Sequence, residues 1–295
     1  MSTVGAVIDR TVRQLLSGTV EERNKLSSTV TATATSIPLT YDVGGVRKGA
    51  IIEIESEQMY VWDVTVASKT ATVERGFNGT TAASHASGKI VTVNPRFPRA
   101  NILSALNQEL DDLSSPMHGL FQIKTIDIDY NGSDVMMNLP TMQNALDLLN
   151  VSVRNIATEY PIVRKVHLIR DLPTDDFSSG FALRFDQGVR PGRVHIVYKA
   201  AFSNVTVETQ NLQNISGLPT TCEDIVEMGV QIRLMSAREI KRNFTESQGD
   251  TRRADEVGAG AVANSVTGLL RLRRDRIIAE AAKLMRQYPT FMSKV

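Results

Sequence analysis

The chain begins with a hydrophobic pattern of helical period. Its apolar positions recur every three or four residues as far as about Gly18, with polar residues between them, which is typical of a short amphipathic helix. The stretch that follows, TVEERNKLSS, is polar and is interpreted as a linker. Residues 1–28 are therefore predicted to be an N-terminal amphipathic helix and a linker. The apolar helix positions are Val4, Ile8, Val12, Leu15 and Leu16.

From residue 29 to residue 95 the pattern changes to short β-branched runs. VTATATSIPL, AIIEIESEQMYVWDV, KTATVERG and GKIVTVN partly alternate and are separated by turns rich in glycine, serine and lysine. Such runs are typical of strands. This segment is predicted to be a small antiparallel β-barrel or sandwich of about five strands.

Residues 96–116 are predicted to be a connecting helix. Pro98 suits its first position because the proline ring fixes a helical φ and the missing N–H would have no partner there. We expect the apolar face of this helix to pack on the β-domain or on a neighbouring subunit. That face comprises Ile102, Leu103, Leu106, Leu110 and Leu113.

A second β-rich segment covers residues 117–218 and is predicted to be a central β-sandwich. LFQIKTIDIDYNG, VSVRNIA, PIVRKVHLIR, FALRFD, RVHIVYKAAF and SNVTVETQ have strand patterns, while TMQNALDLLN favours a short helix. Residues 219–295 have helical periodicity, interrupted by the charged, glycine-containing stretch TESQGDTRRADEVGAG, which is interpreted as a hinge. The predicted fold class is α+β.

Composition and charge exclude several classes of protein. Hydrophobic residues make up 42% of the 295-residue chain and the net charge is +1, which argues against a surface that grips nucleic acid throughout. Cys222 is the single cysteine, so an intrachain disulfide and a thiolate-based zinc site are excluded. Charges at Asp9, Arg10 and Arg13 interrupt any signal-peptide core, and no apolar run approaches the roughly 20 residues of a membrane span. We expect a protein made in the cytoplasm that has no membrane partner.

The stretch ERGFNGTTAASHASGK, residues 74–89, is the first candidate for chemistry. It contains neither GxGxxG nor GxxxxGK[ST], and it leads from one strand pattern to another, whereas a phosphate loop leads into a helix. Asn78-Gly79 is a strong turn dipeptide because both residues tolerate positive φ. His85 has no partner that a known motif supplies, so it is interpreted as a loop imidazole bonded to backbone.

Other titratable residues give weaker signals. His118, His167 and His195 are scattered singly, without metal-ligand spacing. The run DIDYNGSD, residues 127–134, is similar to a calcium loop, but Asn138 stands where the bidentate glutamate is needed. A solvated turn is the better interpretation. The sequence predicts no catalytic residue, no metal site and no cofactor.

An arginine-rich helical stretch, LLRLRRDRIIAEAAKLM, is the most pronounced charge feature. One interpretation is a solvated face with pairs such as Arg276 to Glu280, four residues apart. The other is a helix that docks into a groove of a partner, with its arginines on carboxylates or phosphates. The residues alone leave both open.

VERGFNGTTAASHASGKIV resembles a β-domain found repeatedly in structural proteins of tailed bacteriophages, with the form RG-x-x-GT-x-A-x-x-H-x-x-G. The stretch that follows, NPRFPRANILSALNQELDDLSSP, resembles the proline-led helix after that domain in phage head-to-tail connector proteins, and the arginine-rich C-terminal helix is similar in character to the segment that docks on the portal. Together the two motif matches cover about residues 30 to 116. The matching residues are Arg75, Gly76, Gly79, Thr80, Ala82, His85 and Gly88.

The resemblance implies a non-enzymatic adaptor in the neck of the virion. Such a subunit forms a homo-oligomeric ring, a dodecamer to follow the portal, beneath the portal protein. It extends the channel through which genomic DNA passes during ejection, and it contacts a downstream neck or tail protein. The implied structural turn comprises Arg75, Gly76, Asn78, Gly79, His85 and Gly88, and the implied portal interface comprises Leu269, Leu270, Arg271, Arg273, Arg274, Arg276, Ile277, Ile278, Tyr288 and Phe291.

Two rival functions remain at this point. A tail or baseplate component with a carbohydrate-binding central β-domain would need an exposed aromatic platform, and residues 181–202 offer few aromatics. A hydrolase would need a pair of carboxylates that converge in space.

Overall fold

A computed structural model gives a mixed α+β architecture. The structure describes residues 2–16, 20–132, 135–142, 144–154, 159–163, 165–186, 188–246 and 261–288, with side chains for all of these except 236–246 and 261–264. The predicted fold class is confirmed at this level.

Helices in the described ranges share one hydrophobic cluster. The amphipathic pattern of the N-terminus buries Val4 and Ile8, the connecting helix buries Leu106 and Leu110, and the C-terminal helix adds Ile277. An apolar stripe on each helix thus meets the others in a common core. The helices are α1 (Val4–Leu16), α2 (Arg99–Leu113), α3 (Leu212–Ser216), α4 (Glu223–Glu246) and α5 (Ala261–Gln287).

A curled, six-stranded antiparallel sheet forms a half-barrel between α1 and α2 in the chain. Its strands are β1 (Glu22–Lys25), β2 (Ser36–Pro38), β3 (Ile51–Ile54), β4 (Glu57–Thr65), β5 (Thr70–Glu74) and β6 (Ile90–Val93), in the order β1-β6-β3-β4-β5-β2. The two edges approach each other, because Leu26 bridges Leu39 and the N–H of Ser27 donates to the carbonyl of Pro38 at 3.1 Å. Alternate aliphatic side chains fill the concave side.

The prediction of a linker before this domain is wrong for Glu22–Lys25. These polar residues form β1, which pairs residue by residue with β6. A strand at a sheet edge needs few apolar side chains, and charges there discourage pairing with other chains. Hydrophobic periodicity alone therefore missed this strand.

Two three-stranded antiparallel sheets follow α2. One has the order β7-β12-β9 and the other β10-β11-β8, and their apolar faces contribute to one shared cluster. The strands are β7 (Gln122–Tyr130), β8 (Met136–Asn138), β9 (Ala145–Val153), β10 (Val166–Ile169), β11 (Ala182–Phe185) and β12 (Gly192–Ala200).

Two secondary-structure predictions in this region are wrong. TMQNALDLLN was expected to be helical, but its residues 145–150 form the first part of β9. Pairing with β12 places Leu148, Val151 and Val153 in the core, and this overrides helix propensity. SNVTVETQ, residues 203–210, was expected to be a strand but pairs with no strand of the described residues. Its Val205 instead exchanges two hydrogen bonds of 2.9 Å with the side chain of Asn107 on α2.

Within the described ranges, no helix combines the length and the apolar character needed to cross a bilayer.

Candidate functional site

The loop between β5 and β6 is organised around the carboxylate of Glu57, whose side chain is 1% exposed. Arg75 donates from Nε to Oε1 and from Nη2 to Oε2, each at 2.7 Å. The backbone N–H groups of Gly76 and Ala83 donate at 3.2 and 2.9 Å, and Nε2 of His85 lies 2.9 Å from Oε2. We call Glu57, Arg75, His85, Glu55 and Lys89 the Glu57 cluster.

Arg75 also connects the loop to the segment before β2. Its Nη1 donates to the carbonyls of Thr31 and Ala34 at 2.7 and 2.9 Å, and its Nη2 donates to the carbonyl of Ala83 at 2.5 Å. A planar guanidinium presents five donors in a fixed fork, so one side chain joins three segments of the half-barrel.

His85 occupies a different environment from the one expected. Its backbone does pair with Val30, but its ring lies between two carboxylates, with Nδ1 2.8 Å from Oε2 of Glu55. The expectation of a ring bonded to backbone is therefore wrong. An imidazolium, which has an N–H on both nitrogens, satisfies both carboxylates. The side chain is almost fully buried, so the ring cannot reach a substrate.

The pKa values of both glutamates are displaced downward. Burial raises the pKa of Glu57, but the hydrogen bonds from Arg75, Ala83 and His85 outweigh burial and bring that pKa to about 2. Burial likewise raises the pKa of Glu55, and the hydrogen bonds from Lys89 and His85 outweigh it, so the net pKa is below the ordinary value. Both groups are ionised at neutral pH and suit an electrostatic, structural role.

The backbone conformation of the loop explains its glycines. Gly76 has φ 64°, and a Cβ there would lie 2.9 Å from the carbonyl oxygen of Thr80. Asn78 and Gly79 have φ 54° and 77°, as the turn dipeptide predicts, and Gly88 has φ 81° before β6. Such positive φ values favour glycine and asparagine. The loop is thus a turn that its backbone conformation fixes, and its one histidine is buried.

The arginine-rich stretch lies on α5, and part of it binds the protein's own helices. Arg273 donates from Nε to Glu109 and from Nη2 to Asp112, each at 2.6 Å. Arg276 donates to Asp224 at 2.7 Å, and its predicted pair with Glu280 is present at 3.5 Å. These two arginines therefore hold α5 against α2 and α4.

Adjacent isoleucines of α5 have opposite environments. Ile277 is 3% exposed and packs in the helical core, whereas Ile278 is 56% exposed. Leu269 is half-buried, Leu270 and Tyr288 are exposed, and Phe291 lies outside the described residues. The structure thus splits the candidate interface residues between an inner and an outer face.

The outer face of α5 carries a stripe of apolar and cationic side chains. Arg271 and Arg274 are exposed and make no hydrogen bond or ion pair with any described residue. Met285, which sequence reasoning missed, lies on the same side by helical spacing. We call Arg271, Arg274, Ile278 and Met285 the α5 stripe. Leu270 is exposed, but it lies seven residues before Ile277 and therefore on the side of the helix that faces the core.

On its inner side, α5 binds a buried carboxylate of α2 through Arg273. Glu109 of α2 is 1% exposed and binds Arg273 of α5 and, at 3.3 Å, Arg233 of α4. Burial raises the pKa of Glu109, and the two guanidiniums oppose that rise. A Cβ at Gly229 of α4 would lie 2.0 Å from the carboxyl carbon of Glu109. We call Glu109, Arg273, Arg233 and Asp112 the Glu109 cluster.

A cleft of about 530 Å³ lies where α1, the half-barrel and α2 meet. Glu53 of β3 is buried in its wall and accepts the N–H of Arg99 at 2.7 Å. Burial raises the pKa of Glu53 to about 8, against the lowering effect of Arg99. The residues that line the cleft are Asp9, Val12, Arg13, Arg23, Glu53, Glu55, Lys89, Ile90, Thr92, Arg99 and Glu208.

Glu53 gives the stability of the junction a pH dependence. The unfolded chain loses this proton near the ordinary value of 4.5 and the folded chain near 8, so this group makes stability fall as pH rises from about 4.5 to 8. We expect Glu53→Gln, which keeps an acceptor for Arg99, to remove that fall and to stabilise the protein by up to about 5 kcal/mol at pH 9. Melting temperatures of both proteins at pH 5 and pH 9 test this, and a pH-independent difference between them would contradict it.

Other groups offer little chemistry. Burial raises the pKa of the Cys222 thiol to about 11, which makes it a poor nucleophile. Within the part of the chain that the structure describes, no group of three histidine, cysteine or acidic side chains could hold a metal ion. Of the aromatics in residues 181–202, Phe185, Tyr198 and Phe202 lie in the core. Trp62 on β4 is exposed instead, with its ring 4.8 Å from that of Tyr60.

No protein-family model matches the chain, and a search of curated proteins finds no significant match either.

Proposed function

We propose that this chain is a non-enzymatic structural subunit of a tailed-bacteriophage neck. It is a head-to-tail adaptor that forms a ring beneath the portal, extends the DNA channel and joins the capsid to the next neck or tail protein. The half-barrel is its β-barrel-like domain, the two three-stranded sheets are its central sandwich, and α5 docks on the portal. The observation that carries the proposal is the α5 stripe, taken with the loop motif described above.

The α5 stripe has the composition of a docking surface. Arginine and methionine are enriched in protein interfaces, and here Ile278 and Met285 share one exposed side of a 27-residue helix with two arginines. The inner face of the same helix buries only Ile277 and Ala281 among its described side chains. The exposed side chains on the rest of the helix remain available to a partner.

The pair Ile277 and Ile278 separates docking from folding. We expect Ile278→Asp to weaken binding to the portal ring at least about tenfold, because it places a charge in the centre of the α5 stripe, while leaving the melting temperature unchanged. Binding is measured on purified portal rings by interferometry or by co-sedimentation. Ile277→Asp buries an unpaired charge and is expected to lower the free energy of unfolding by about 3 kcal/mol or more.

One control variant and two possible outcomes decide the interpretation of that experiment. Ala279→Asp, at an exposed position outside the α5 stripe, should bind the portal like the unmodified protein. Full portal binding by Ile278→Asp would remove the α5 stripe from the interface. If the unmodified protein ignored the portal and formed no ring, the adaptor function itself would be wrong.

A second candidate function is a tail or baseplate component that binds carbohydrate. The observation in its favour is the exposed Trp62, which makes an edge-to-face contact with Tyr60. An exposed aromatic face can pack against the apolar face of a sugar ring. The platform lies on the half-barrel and not in the central β-region that was expected to bind glycan. Saccharide-dependent quenching of the single tryptophan would favour this candidate.

A further inference from the structure

The cleft where α1, the half-barrel and α2 meet contains a carboxyl group that is only half satisfied. Glu53 is buried in the wall of this cleft, and its Oε1 accepts the N–H of Arg99. Its other oxygen, Oε2, makes no hydrogen bond with any residue that the structure describes. A buried polar atom is unfavourable unless water or a ligand supplies a partner. Because Glu53 lines the cleft, a ligand in the cleft can supply it.

Two arginines that line the cleft have no carboxylate within hydrogen-bond distance. Arg13 of α1 is exposed, and its side chain makes one hydrogen bond to the described part of the chain, from Nε to the backbone carbonyl of Asp9 at 3.2 Å. Arg23 of β1 is also exposed and approaches Glu21 only to 3.9 Å, which is too far for a hydrogen bond. Both guanidiniums therefore keep N–H donors that suit an oxyanion.

The remaining charges of the cleft are already paired with each other. The lining contains four cations and four carboxyl groups, so a protonated Glu53 leaves one positive charge in excess. A monovalent anion restores neutrality, whereas a cation would add to the excess. The ion pairs within the lining are Arg99 with Asp9, Arg99 with Glu208 and Lys89 with Glu55, each at 2.6 Å.

Glu53 is mostly protonated at neutral pH. Burial and the nearby carboxylates of Glu208 and Glu21 raise its pKa to about 8, against the lowering effect of Arg99. Since Oε1 accepts the N–H of Arg99, the proton belongs on Oε2, which then donates to an acceptor in the cleft. The other charged groups that line the cleft around Glu53 are Asp9 and Arg13 on α1, Arg23 on β1, Glu55 after β3 and Lys89 before β6.

We propose that the cleft binds the carboxylate of a small aliphatic acid, which accepts hydrogen bonds from the guanidiniums of Arg13 and Arg23 and from the carboxyl group of Glu53. Val12 and Ile90 line the same cleft and offer apolar contact to a short hydrocarbon chain. The volume of about 530 Å³ lies within the usual range for ligand pockets, roughly 300–1,000 Å³. A phosphate dianion fits less well, because its second charge would face the carboxylates of the lining. The site is independent of the proposed adaptor function.

Pentanoate, titrated into the protein by isothermal titration calorimetry, is a suitable probe. We expect a Kd of about 1 mM at pH 7, as for a small fragment-like ligand. Arg13→Gln and Arg23→Gln should each weaken binding at least about tenfold, since each removes a charged donor, with unchanged melting temperatures. Arg47→Gln is the matched control, because Arg47 is exposed on the half-barrel but does not line the cleft. It should bind pentanoate like the unmodified protein.

The pH dependence of binding isolates the contribution of Glu53. Pentanoate binds the protonated form, which is about nine-tenths of the protein at pH 7 and about one-tenth at pH 9. The affinity of the unmodified protein should therefore fall about tenfold between these pH values, and at pH 9 binding should take up nearly one proton from the buffer. Glu53→Gln keeps a donor in its amide N–H groups, so its affinity should be the same at both pH values.

Several outcomes would overturn the carboxylate site. They are an absence of pentanoate binding at about ten times the expected Kd, equal affinity of the unmodified protein at pH 7 and pH 9, and full binding by both arginine variants. Methyl phosphate that bound more tightly than pentanoate would also contradict the choice of ligand. None of these measurements involves ring formation or the portal, so their failure would leave the adaptor function intact.

Discussion

Replacing Glu57 by alanine is expected to lower the free energy of unfolding of the half-barrel by about 3–5 kcal/mol. The substitution leaves the buried guanidinium of Arg75 without its carboxylate and removes the acceptor of two backbone N–H groups. Such groups lose their partners but not their burial, so the full desolvation penalty remains. The single tryptophan, Trp62, lies on β4 of the same sheet. Its fluorescence during urea unfolding therefore reports this domain.

Glu55 provides the matched control because it is 42% exposed and belongs to the same cluster. Glu55→Ala should cost about 1 kcal/mol or less, as exposed ion pairs do. The pKa of Glu57 adds a second test. Because the folded pKa is about 2 against an ordinary value of 4.5, the carboxylate contributes stability that is complete above pH 4.5 and is lost as pH falls towards 2.

In Glu57→Gln the acid-labile part of the stability should be missing. Urea midpoints of this variant and of the unmodified protein, compared at pH 5 and pH 3, measure that difference. Equal losses from Glu55→Ala and Glu57→Ala, or the same acid dependence in Glu57→Gln as in the unmodified protein, would show that the Glu57 cluster is not what holds the loop.

The Glu57 cluster also shows what the sequence could predict. The turn at Asn78-Gly79 and the need for glycine at positions 76 and 88 follow from local backbone chemistry. The partners of Arg75 and His85 do not follow from local chemistry. Glu57 and Thr31, for example, lie 18 and 44 residues before Arg75 along the chain. Only pairing of β4 with β5 and of Val30 with His85 brings them together. A motif can thus identify the loop without revealing what it binds.

The helices show the same limit. The connecting helix α2 was expected to pack on the β-domain or on a neighbouring subunit, and this is wrong, because its apolar face lies in the core shared with α1 and α4. Periodicity predicted the apolar faces of α1 and α2 but not this partner. It could not separate Arg273 from Arg274 or Ile277 from Ile278, because neighbouring positions of a helix differ only in the direction that each side chain takes. Strand β1 and the first part of β9, residues 145–150, were missed for a related reason. Their pairing partners, β6 and β12, are remote in sequence, and ladder formation outweighed local propensity.

Gly229→Ala is expected to destabilise the protein by about 2–4 kcal/mol, although glycine in a helix interior is the poorer helix former. Propensity alone would make this substitution stabilising by about 1 kcal/mol. The new Cβ, however, would lie 2.0 Å from the carboxyl carbon of Glu109. Glu109 would have to leave its place against α4, which breaks its contacts with Arg233 and Arg273. The carboxylate of Glu109 then loses both guanidiniums that compensate for its burial, which gives the large cost.

Gly268→Ala on α5 is the matched control. A Cβ at Gly268 has no atom within 4 Å, so this substitution should stabilise the protein by up to about 1 kcal/mol through helix propensity. Thermal unfolding of the two variants should therefore shift in opposite directions. If the clash with Glu109 causes the destabilisation by Gly229→Ala, that destabilisation should be small when Glu109 has already been replaced by alanine. The double variant Glu109→Ala with Gly229→Ala tests this coupling. If Gly229→Ala raised stability as Gly268→Ala does, the helices would be held by their apolar contacts, and the pairing of Arg273 with Glu109 would contribute little to the position of α5.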